Sequence, residues 1–341
     1  MTASQRTQAP DPSQDALREP PAPDTYLLFG TPVHSNIPLP ELPRLPDYQG
    51  DAPAVAVRQI AAGGFNADDF HTCHEWRTEQ GRLLCRCLRR DNDYLLSFPR
   101  QADFHIEAGG IINCLPAPGV AQGLLRHLLL NQVLPRYLAH TGEQLLHASA
   151  VTLANGTTVA FLGESGFGKS TLASYCHLNG AQFIDDDCIL LRSGEGGLRI
   201  VGGVPTVRLY PDCLRALGHN PAGFAPYAQE RTDKLQMSLS GQHTHPVMPP
   251  ILHALFLLGA PGDVPANGAV TITPAGGQVA LMSLVRGAFN LNPADKHTLR
   301  QMFEQRAQIL AEGLPVCHLN YPRSHRALPQ VLQALLNWPH A

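Results

Sequence analysis

Apolar positions follow two different periods along the chain. Residues 25–118 contain short apolar runs, and those at 82–88 and 94–98 predict two strands joined by a polar turn. Residues 121–139 instead repeat leucines at helical spacing, with Pro135 as a predicted kink or end. Residues 297–310 and 328–338 predict further packing helices. We therefore expect a β-rich N-terminal part, followed by a part in which strands and helices alternate.

A hairpin is predicted near the middle of the chain. Residues 145–153 are an apolar run that contains His147, and we interpret them as one strand. The run ends at Asn155-Gly156, a dipeptide that strongly favours a tight hairpin turn. The next apolar run, residues 158–162, is then predicted to pair antiparallel with the first strand. Because the start of one antiparallel arm lies opposite the end of the other, His147 is expected near residue 163.

The segment GESGFGKS at residues 163–170 fits the phosphate-binding loop, or Walker A, pattern. Its glycines let several backbone N–H groups converge on one anion, and its lysine and serine suit phosphates and Mg²⁺. A helix predicted at residues 171–179 and closed by Gly180 would direct its positive end at the same phosphates. The predicted nucleotide-binding residues are Gly163, Glu164, Ser165, Gly166, Phe167, Gly168, Lys169, Ser170 and Thr171.

Three consecutive aspartates, Asp185, Asp186 and Asp187, follow between two apolar runs. Carboxylates at such a place are costly to bury unless they meet cations, and Mg²⁺ with the lysine of the loop would supply them. We predict a metal-binding or proton-accepting role, with a solvated turn as the alternative. Asp186 is the predicted general base, and Asp187 with Ser170 is predicted to hold Mg²⁺, although the two aspartates could exchange roles.

Composition narrows the class of protein. The chain has 341 residues and a net charge of −3, without a basic stripe, so nucleic acid is not expected as a partner. No run of 18 apolar residues and no signal peptide are evident, so neither membrane insertion nor secretion is expected. Eight cysteines without a C-x-x-C pair favour reduced thiols and a cytoplasmic location. Residues 1–24 are poor in large apolar groups and are predicted to be disordered.

Several other polar residues are weaker candidates. Arg208 in an apolar run could face a site or form a salt bridge, and Arg286 could bind an anion or end a helix. Arg231 and Lys234 lie in a polar stretch, and Lys234, one of only three lysines in the chain, is a candidate phosphate or acceptor contact. The histidine-rich clusters do not have the spacing of a tetrahedral metal site, and solvated loops are favoured. These clusters are His71, Cys73 and His74, and His243 with His245.

The order of histidine, hairpin, phosphate loop, short helix and aspartate pair resembles the HPr kinase/phosphorylase family. It also resembles the HPr-serine-kinase-related proteins of peptide biosynthesis clusters, including lasso-peptide precursor kinases. The resemblance is specific over about residues 140–215, and residues 26–30, 37–40, 205–211 and 315–322 are also similar to those relatives. It assigns residues 163–171 to the nucleotide phosphates, His147 to the wall of the site, and Asp186 and Asp187 to the aspartate pair.

One departure from that family concerns the acceptor. The HPr enzymes carry an acidic residue in a glycine-rich signature after the aspartate pair, whereas residues 200–205 of this chain are IVGGVP. The departure argues against HPr as the substrate and against a reverse phosphorylase activity. It favours a peptide-tailoring kinase over a regulatory HPr-type kinase.

The predicted fold class is α/β. We expect a mixed-sheet P-loop nucleotide-binding domain of HPr-kinase type at residues 119–341, preceded by a smaller β-rich domain at residues 25–118. The predicted function is an ATP- and Mg²⁺-dependent kinase acting on a serine hydroxyl of a peptide or protein, with Lys169, His147, Asp186 and Asp187 as catalytic residues. A small-metabolite kinase and a non-catalytic nucleotide-binding switch or scaffold are the alternatives. Whether the chain forms a homo-oligomer is left open.

Overall fold

The first third of the chain folds into an eight-stranded sheet. The computed structural model describes residues 23–50, 55–61, 65–204, 206–226, 235–238, 248–260, 262 and 268–339. The strands of this sheet are β1 (Asp24–Leu28), β2 (Thr31–Ser35), β3 (Val55–Gln59), β4 (His71–Arg77), β5 (Leu83–Arg90), β6 (Asp93–Phe98), β7 (Ala102–Ile106) and β8 (Ile111–Pro116). Their order is β1-β2-β3-β8-β7-β6-β5-β4, with parallel pairing only at β2–β3 and β3–β8.

The two strands predicted at residues 82–88 and 94–98 are confirmed as β5 and β6. Their turn is shorter than the predicted one, because Arg90 and Asp93 already pair and only Asp91 and Asn92 remain between them. Asp91 has a φ of 52°, as a two-residue hairpin turn of this kind requires.

A bent helical segment packs on the sheet. It consists of α1 (Gln122–Leu128), a π-helical stretch (Leu129–Val133) and α2 (Leu134–His140), in direct succession. Pro135 lies in the first turn of α2, directly after the π-helical stretch, and the helix continues to His140, so Pro135 does not end the helical segment. Leu125 and Leu128 are fully buried in a core that also contains Leu190 and Leu291. This core crosses the predicted boundary at residue 118, and the division into domains stays a prediction.

The remaining strands form three smaller sheets in the described part of the chain. They are β9 (Gln144–Leu146), β10 (Ala148–Thr152), β11 (Thr158–Leu162), β12 (Gln182–Asp185), β13 (Ile189–Gly194), β14 (Gly197–Gly202), β15 (Thr206–Leu209), β16 (Ala225–Pro226), β17 (Leu235–Ser238), β18 (Ala254–Leu258), β19 (Thr271–Pro274) and β20 (Val316–Asn320). A six-stranded sheet has the order β12-β10-β11-β18-β20-β19, and two three-stranded sheets have the orders β14-β13-β9 and β15-β17-β16. Together with the helices they make a mixed α/β fold.

Five further helices complete this part of the molecule. They are α3 (Lys169–Leu178), α4 (Pro211–Ala216), α5 (Gly277–Arg286), α6 (Lys296–Ala311) and α7 (Leu328–Leu336). Helix α3 confirms the helix predicted after the phosphate loop, although it begins two residues earlier, and Gly180 follows its end with a φ of 94°. Helices α6 and α7 confirm the two packing helices predicted at residues 297–310 and 328–338.

Strand β11 lies in the middle of the six-stranded sheet, and all five of its residues are buried. Alternate side chains point to opposite faces of a strand, so Val159 and Phe161 pack in one core with α3 and α7. Ala160 and Leu162 pack in a second core with α5. Helix cover on both faces explains why this segment is apolar without alternation.

The predicted hairpin is confirmed, with one correction. Strands β10 and β11 pair antiparallel, from Ala148 opposite Leu162 to Thr152 opposite Thr158, and the turn carries Gly156 at a φ of 86°. The prediction that residues 145–153 form one strand is wrong. The run divides at His147, because β9 pairs with β13 in a different sheet and the His147 N–H donates to the carbonyl oxygen of Gly287 at 2.7 Å.

Strand β11 pairs antiparallel with β10 on one side and parallel with β18 on the other. The strand that leads into the phosphate loop is therefore fed by a hairpin, as predicted.

Some predictions concern residues that the structure does not describe. Most of the predicted tail (residues 1–22), the candidate contact Lys234 with its neighbour Arg231, and the pair His243 and His245 lie outside the described residues. Within the described residues, no helix combines the length and apolar character needed to cross a membrane. The eight cysteines are all free thiols.

Candidate active site

The phosphate loop connects the end of β11 to the start of α3. Gly166 and Gly168 have φ values of 86° and 90°, a left-handed conformation that glycine adopts without steric cost. Gly168 is also the N-cap of α3, so the helix begins at Lys169 with backbone N–H groups that have no acceptor within the helix. Such a helix start attracts phosphate through these N–H groups and through the helix dipole.

Lys169 lies inside this loop rather than on its surface. Its side chain is buried, and Nζ donates to the carbonyl oxygens of Gly163 at 2.7 Å and of Glu164 at 3.2 Å. The ammonium group is thus held by carbonyl oxygens of the loop that leads to the start of the helix. The loop thus combines a fixed cation with converging donors, the two features that phosphate binding requires.

The three consecutive aspartates have three different environments. Asp185, the last residue of β12, is buried, and its carboxylate accepts the N–H groups of Gly203 and of Val204, the latter at 3.0 Å. Burial raises the pKa of Asp185 well above its usual value. Asp185 therefore ties the end of β12 to the segment that follows β14.

Asp186 is buried on the side of the phosphate loop. Its carboxylate accepts hydrogen bonds from Ser149 Oγ at 2.6 Å, from the backbone N–H of Arg208 at 3.4 Å and from the hydroxyl of Ser170. Burial, followed by the neighbouring charge of Asp187, raises the pKa of Asp186. The phosphate-loop serine and the aspartate cluster, 16 residues apart along the chain, are thus in direct contact.

Asp187 has a strained backbone. Its φ is 88°, a conformation that is rare for residues other than glycine and that concentrates at functional sites. The carboxylate forms an ion pair with Arg208, and the carbonyl oxygen accepts a hydrogen bond from Nδ1 of His147 at 2.8 Å. Because a carbonyl oxygen only accepts, Nδ1 of His147 must carry the proton.

Arg208 is almost fully buried in β15. The two alternatives predicted for it, facing the site and forming a salt bridge, occur together. It faces the site and also forms the salt bridge with Asp187. Its other terminal nitrogen donates to Asn131 Oδ1 at 3.0 Å, and Asn131 in turn donates to the carbonyl oxygen of His127 at 3.2 Å. The helical segment that covers the N-terminal sheet is thereby connected to the aspartate cluster.

A cavity of about 440 Å³ brings these groups together. It is lined by His127, His147, Ser165, Gly166, Gly168, Lys169, Ser170, Thr171, Asp187, Arg208, Leu209, Tyr210 and Cys213. Of the predicted site residues, Gly163, Glu164, Phe167 and Asp186 do not line it, although Asp186 contacts it through Ser170. The predicted proximity of His147 to the phosphate loop is confirmed.

Sequence reasoning missed several polar residues of the site. Asn131 and Ser149 contact Arg208 and Asp186, and both occur within otherwise apolar runs, which is the signal that could have indicated a buried polar network. His127, Tyr210 and Cys213 line the cavity without belonging to any sequence motif. Their presence depends on how distant segments pack.

The donor set fits Mg²⁺ bound together with phosphates. Mg²⁺ prefers oxygen ligands and usually takes only one or two from the protein, with water and phosphate oxygens completing its shell. Ser170 supplies a hydroxyl, Asp186 a carboxylate in contact with that hydroxyl, and Asp187 a second carboxylate on the cavity wall. Among the described residues no group of three or more His, Cys, Asp or Glu could hold a metal ion by itself.

Comparisons with known proteins add a distant likeness. No family model matches the chain, and no curated protein matches it. Among solved structures, the chain is similar to the Hpr(Ser) kinase/phosphatase from Coxiella burnetii, with 15% sequence identity and a TM-score of 0.29. The match covers 57% of this chain and 95% of that chain.

Proposed function

We propose that the protein is an ATP- and Mg²⁺-dependent kinase that phosphorylates a serine hydroxyl on a peptide or protein. The observation that carries the proposal is the cavity in which the phosphate loop, Asp187, His147 and Arg208 meet. Phosphoryl transfer needs little covalent chemistry from the protein, since catalysis depends on positioning the phosphates and neutralising their charge. A cradle for phosphates with a carboxylate and a histidine opposite it supplies these requirements.

The phosphate loop and α3 bind the nucleotide in this proposal. Backbone N–H groups at the start of α3 and the Lys169 ammonium hold the phosphates, and Ser170 contributes its hydroxyl to the Mg²⁺ shell. Bound Mg²⁺ supplies charge neutralisation of the transferring phosphoryl group. Asp186, which accepts the hydrogen bond of Ser170, orients that hydroxyl and contributes negative charge on the side of the metal.

The carboxylate that receives the proton of the acceptor is Asp187 in this proposal. This assignment exchanges the roles first expected for the two aspartates. Asp187 lines the cavity and is one quarter exposed, whereas Asp186 is buried behind Ser149 and Ser170. An acceptor hydroxyl must come within hydrogen-bond reach of its base, and only a carboxylate on the cavity wall permits that approach without rearrangement.

A peptide-tailoring kinase is favoured over a regulatory HPr-type kinase. The described part of the glycine-rich segment at residues 200–204 has no acidic side chain. Its backbone N–H groups at Gly203 and Val204 are occupied by Asp185. The segment thus has a structural role here and offers no carboxylate to the cavity.

The proposal is tested by offering acceptors to the purified protein with ATP and Mg²⁺. Serine-containing peptides and proteins encoded by neighbouring genes form the first set, and small hydroxylated metabolites form the second. Mass spectrometry should detect a mass increase of one phosphoryl group on a serine of the first set, and serine-to-alanine versions of the same peptides serve as the control. Phosphorylation of metabolites but not of peptides or proteins would show that the protein is a small-metabolite kinase. Nucleotide binding without transfer to any acceptor would contradict the kinase proposal and favour a nucleotide-binding switch or scaffold.

A further inference from the structure

A second cavity lies on the other side of His147. It has a volume of about 490 Å³, and its wall includes Trp76 from β4, Arg136 from α2, and Arg286, Phe289 and Asn290 at and after the end of α5. His147 lines both this cavity and the phosphate cavity, so the two are neighbours. An acceptor bound in the second cavity would reach the phosphates past His147.

The charge of this cavity is unusual. The described residues that line it include two arginines and no aspartate or glutamate. Arg286 is exposed at the end of α5, whereas Arg136 is half-buried within the fold. Any ligand of this cavity therefore meets a positive field that no described side chain of the wall compensates.

Arg136 is held in place by neutral groups. Its guanidinium lies 4.9 Å from the ring centroid of Trp76 and 5.8 Å from that of Phe289. One terminal nitrogen donates to the backbone carbonyl of Gln132 at 2.9 Å and to its side-chain oxygen at 2.8 Å. Two aromatic faces and a bifurcated hydrogen bond fix the orientation of the guanidinium plane.

No carboxylate balances this guanidinium among the described residues. The ionisable groups that influence the pKa of Arg136 electrostatically are the thiols of Cys85, Cys87 and Cys188. Burial raises the pKa of Cys87 to about 12, so this thiol is neutral near pH 7. Burial also lowers the pKa of Arg136, the direction expected for a cation that has lost hydration without gaining an anion.

We propose that the second cavity binds the acceptor and that Arg136 anchors it through a carboxylate. This inference rests on the proposed kinase function and specifies its acceptor as one with a carboxylate near the phosphorylated hydroxyl. A guanidinium presents a planar fork of donors that matches a carboxylate. The rings of Trp76 and Phe289 would cover the apolar part of the acceptor. The hydroxyl of the acceptor would reach the phosphates past His147, which lines both cavities.

The carboxylate could come from an acidic side chain or from the end of a peptide chain. Both sources present the same group to Arg136, and matched peptides distinguish them. A purely structural role is the competing explanation, in which Arg136 only holds Trp76 and Phe289 together. That role predicts no dependence of acceptor binding on a carboxylate.

Binding is measured through the fluorescence of Trp76. The chain has two tryptophans, and Trp338→Phe leaves Trp76 as the only one, on the cavity wall itself. The probes are short acetylated and amidated peptides with a central serine and one neighbouring aspartate, their asparagine counterparts, and serine peptides with a free or an amidated C-terminus. They are titrated into the full chain with ADP and Mg²⁺, and phosphoryl transfer from ATP to the same peptides is followed separately by mass spectrometry.

The expected result is that at least one carboxylate probe binds about tenfold or more tightly than its amide partner, the scale of a hydrogen bond to a charged group. Arg136→Gln should remove that difference. Arg326→Gln, which removes an exposed arginine that does not line the cavity, should keep it. Equal binding of carboxylate and amide probes to the unmutated cavity overturns the inference, and this comparison does not require the variant to fold.

The two proposals fail in different ways. Transfer to serine peptides without any carboxylate preference in binding supports the kinase function and contradicts the carboxylate anchor. Carboxylate-dependent binding without transfer supports the anion site and contradicts the kinase function. Retention of the preference in folded Arg136→Gln moves the anchor to another residue and contradicts the assignment of Arg136.

Discussion

The two cavities that meet at His147 are built in different ways. Six of the thirteen residues that line the phosphate cavity come from one continuous stretch, the loop and first turn of α3, in which backbone conformation places the donors. The second cavity is assembled from side chains of β4, α2, α5 and the segment after α5, which are distant in the sequence. Backbone groups recognise a chemical unit common to many ligands, such as a phosphate, whereas assembled side chains select one ligand.

Charge balance separates the two cavities further. In the phosphate cavity, the cations Lys169 and Arg208 lie beside loop carbonyls and the carboxylate of Asp187. In the second cavity, Arg136 lies against the rings of Trp76 and Phe289 and donates to the neutral oxygens of Gln132. We expect changes in the first cavity to affect nucleotide binding and turnover, and changes in the second to affect the choice of acceptor.

The largest expected effect comes from Lys169→Ala. ATP–Mg²⁺ should raise the melting temperature of the unmodified protein, because a ligand that binds only the folded state stabilises it. The variant should lose this shift, and transfer should fall by roughly 10³-fold, the scale seen when a phosphate-neutralising cation is removed. Lys296→Ala, at the exposed start of α6, is the matched control and should behave like the unmodified protein. An undiminished ATP shift in folded Lys169→Ala would contradict the phosphate-loop assignment.

Asp187→Asn should have the next largest effect. It removes the carboxylate of the cavity wall at nearly constant shape, so turnover should fall by about 10²-fold or more while ATP affinity changes only a few-fold. Asp186→Asn is the matched comparison. It should mainly weaken Mg²⁺ binding and so raise the Mg²⁺ concentration needed for half-maximal turnover, because Asp186 contacts Ser170. Steady-state kinetics over a range of Mg²⁺ concentrations separate the two. The opposite pattern would return the role of base to Asp186.

His147 offers a smaller test at the boundary between the cavities. His147→Asn keeps an N–H donor near the position of Nδ1, whereas His147→Ala removes the hydrogen bond to the carbonyl oxygen of Asp187. The alanine variant should lose up to about tenfold more turnover than the asparagine variant, the value of one hydrogen bond that holds Asp187 in place. Single-turnover kinetics at saturating ATP measure the difference. Equal losses of turnover in both variants would contradict the role of His147 in positioning Asp187.

The smallest expected effect is on stability and depends on pH. Because burial raises the folded-state pKa of Asp186, its contribution to stability is full below the unfolded pKa and is lost as pH rises through the folded value. Asp186→Asn does not ionise, so near neutral pH it should be more stable than the unmodified protein by about 1 kcal/mol, or roughly 1–2 °C in melting temperature for a chain of this length. The gain should shrink as pH falls toward 4. A gain that is independent of pH would show that the charge of Asp186 is not its cause.

Local features of the fold were predictable from the sequence. The strand Thr158–Leu162, the phosphate loop, the helix after it and the hairpin turn at Gly156 all occur where the pattern indicated. Each depends on residues within one turn or one strand, such as glycines that permit positive φ and apolar runs that favour burial. The strands β5 and β6 belong to the same class, since a short polar turn joins them.

Features that depend on distant contacts were predicted less well. The break at His147 was missed because it results from the pairing of β9 with β13 and from a hydrogen bond that the His147 N–H donates to the carbonyl oxygen of Gly287, neither of which leaves a trace in residues 145–153. The three aspartates appeared equivalent in the sequence. They differ because the N–H of Gly203, the hydroxyl of Ser149 and the guanidinium of Arg208 each contact a different carboxylate.

The sequence by itself determined the phosphate loop, the hairpin that feeds it and the alternation of strands and helices, because backbone conformation responds to nearby residues. Only the tertiary structure decided which aspartate faces the cavity, how Arg208 joins Asn131 to Asp187, and that Arg136 lies next to the phosphate site without a carboxylate partner among the described residues. These features arise from the packing of segments up to two hundred residues apart, roughly the separation of β4 from α5. Burial and charge there depend on the sum of many long-range contacts, which local patterns do not encode.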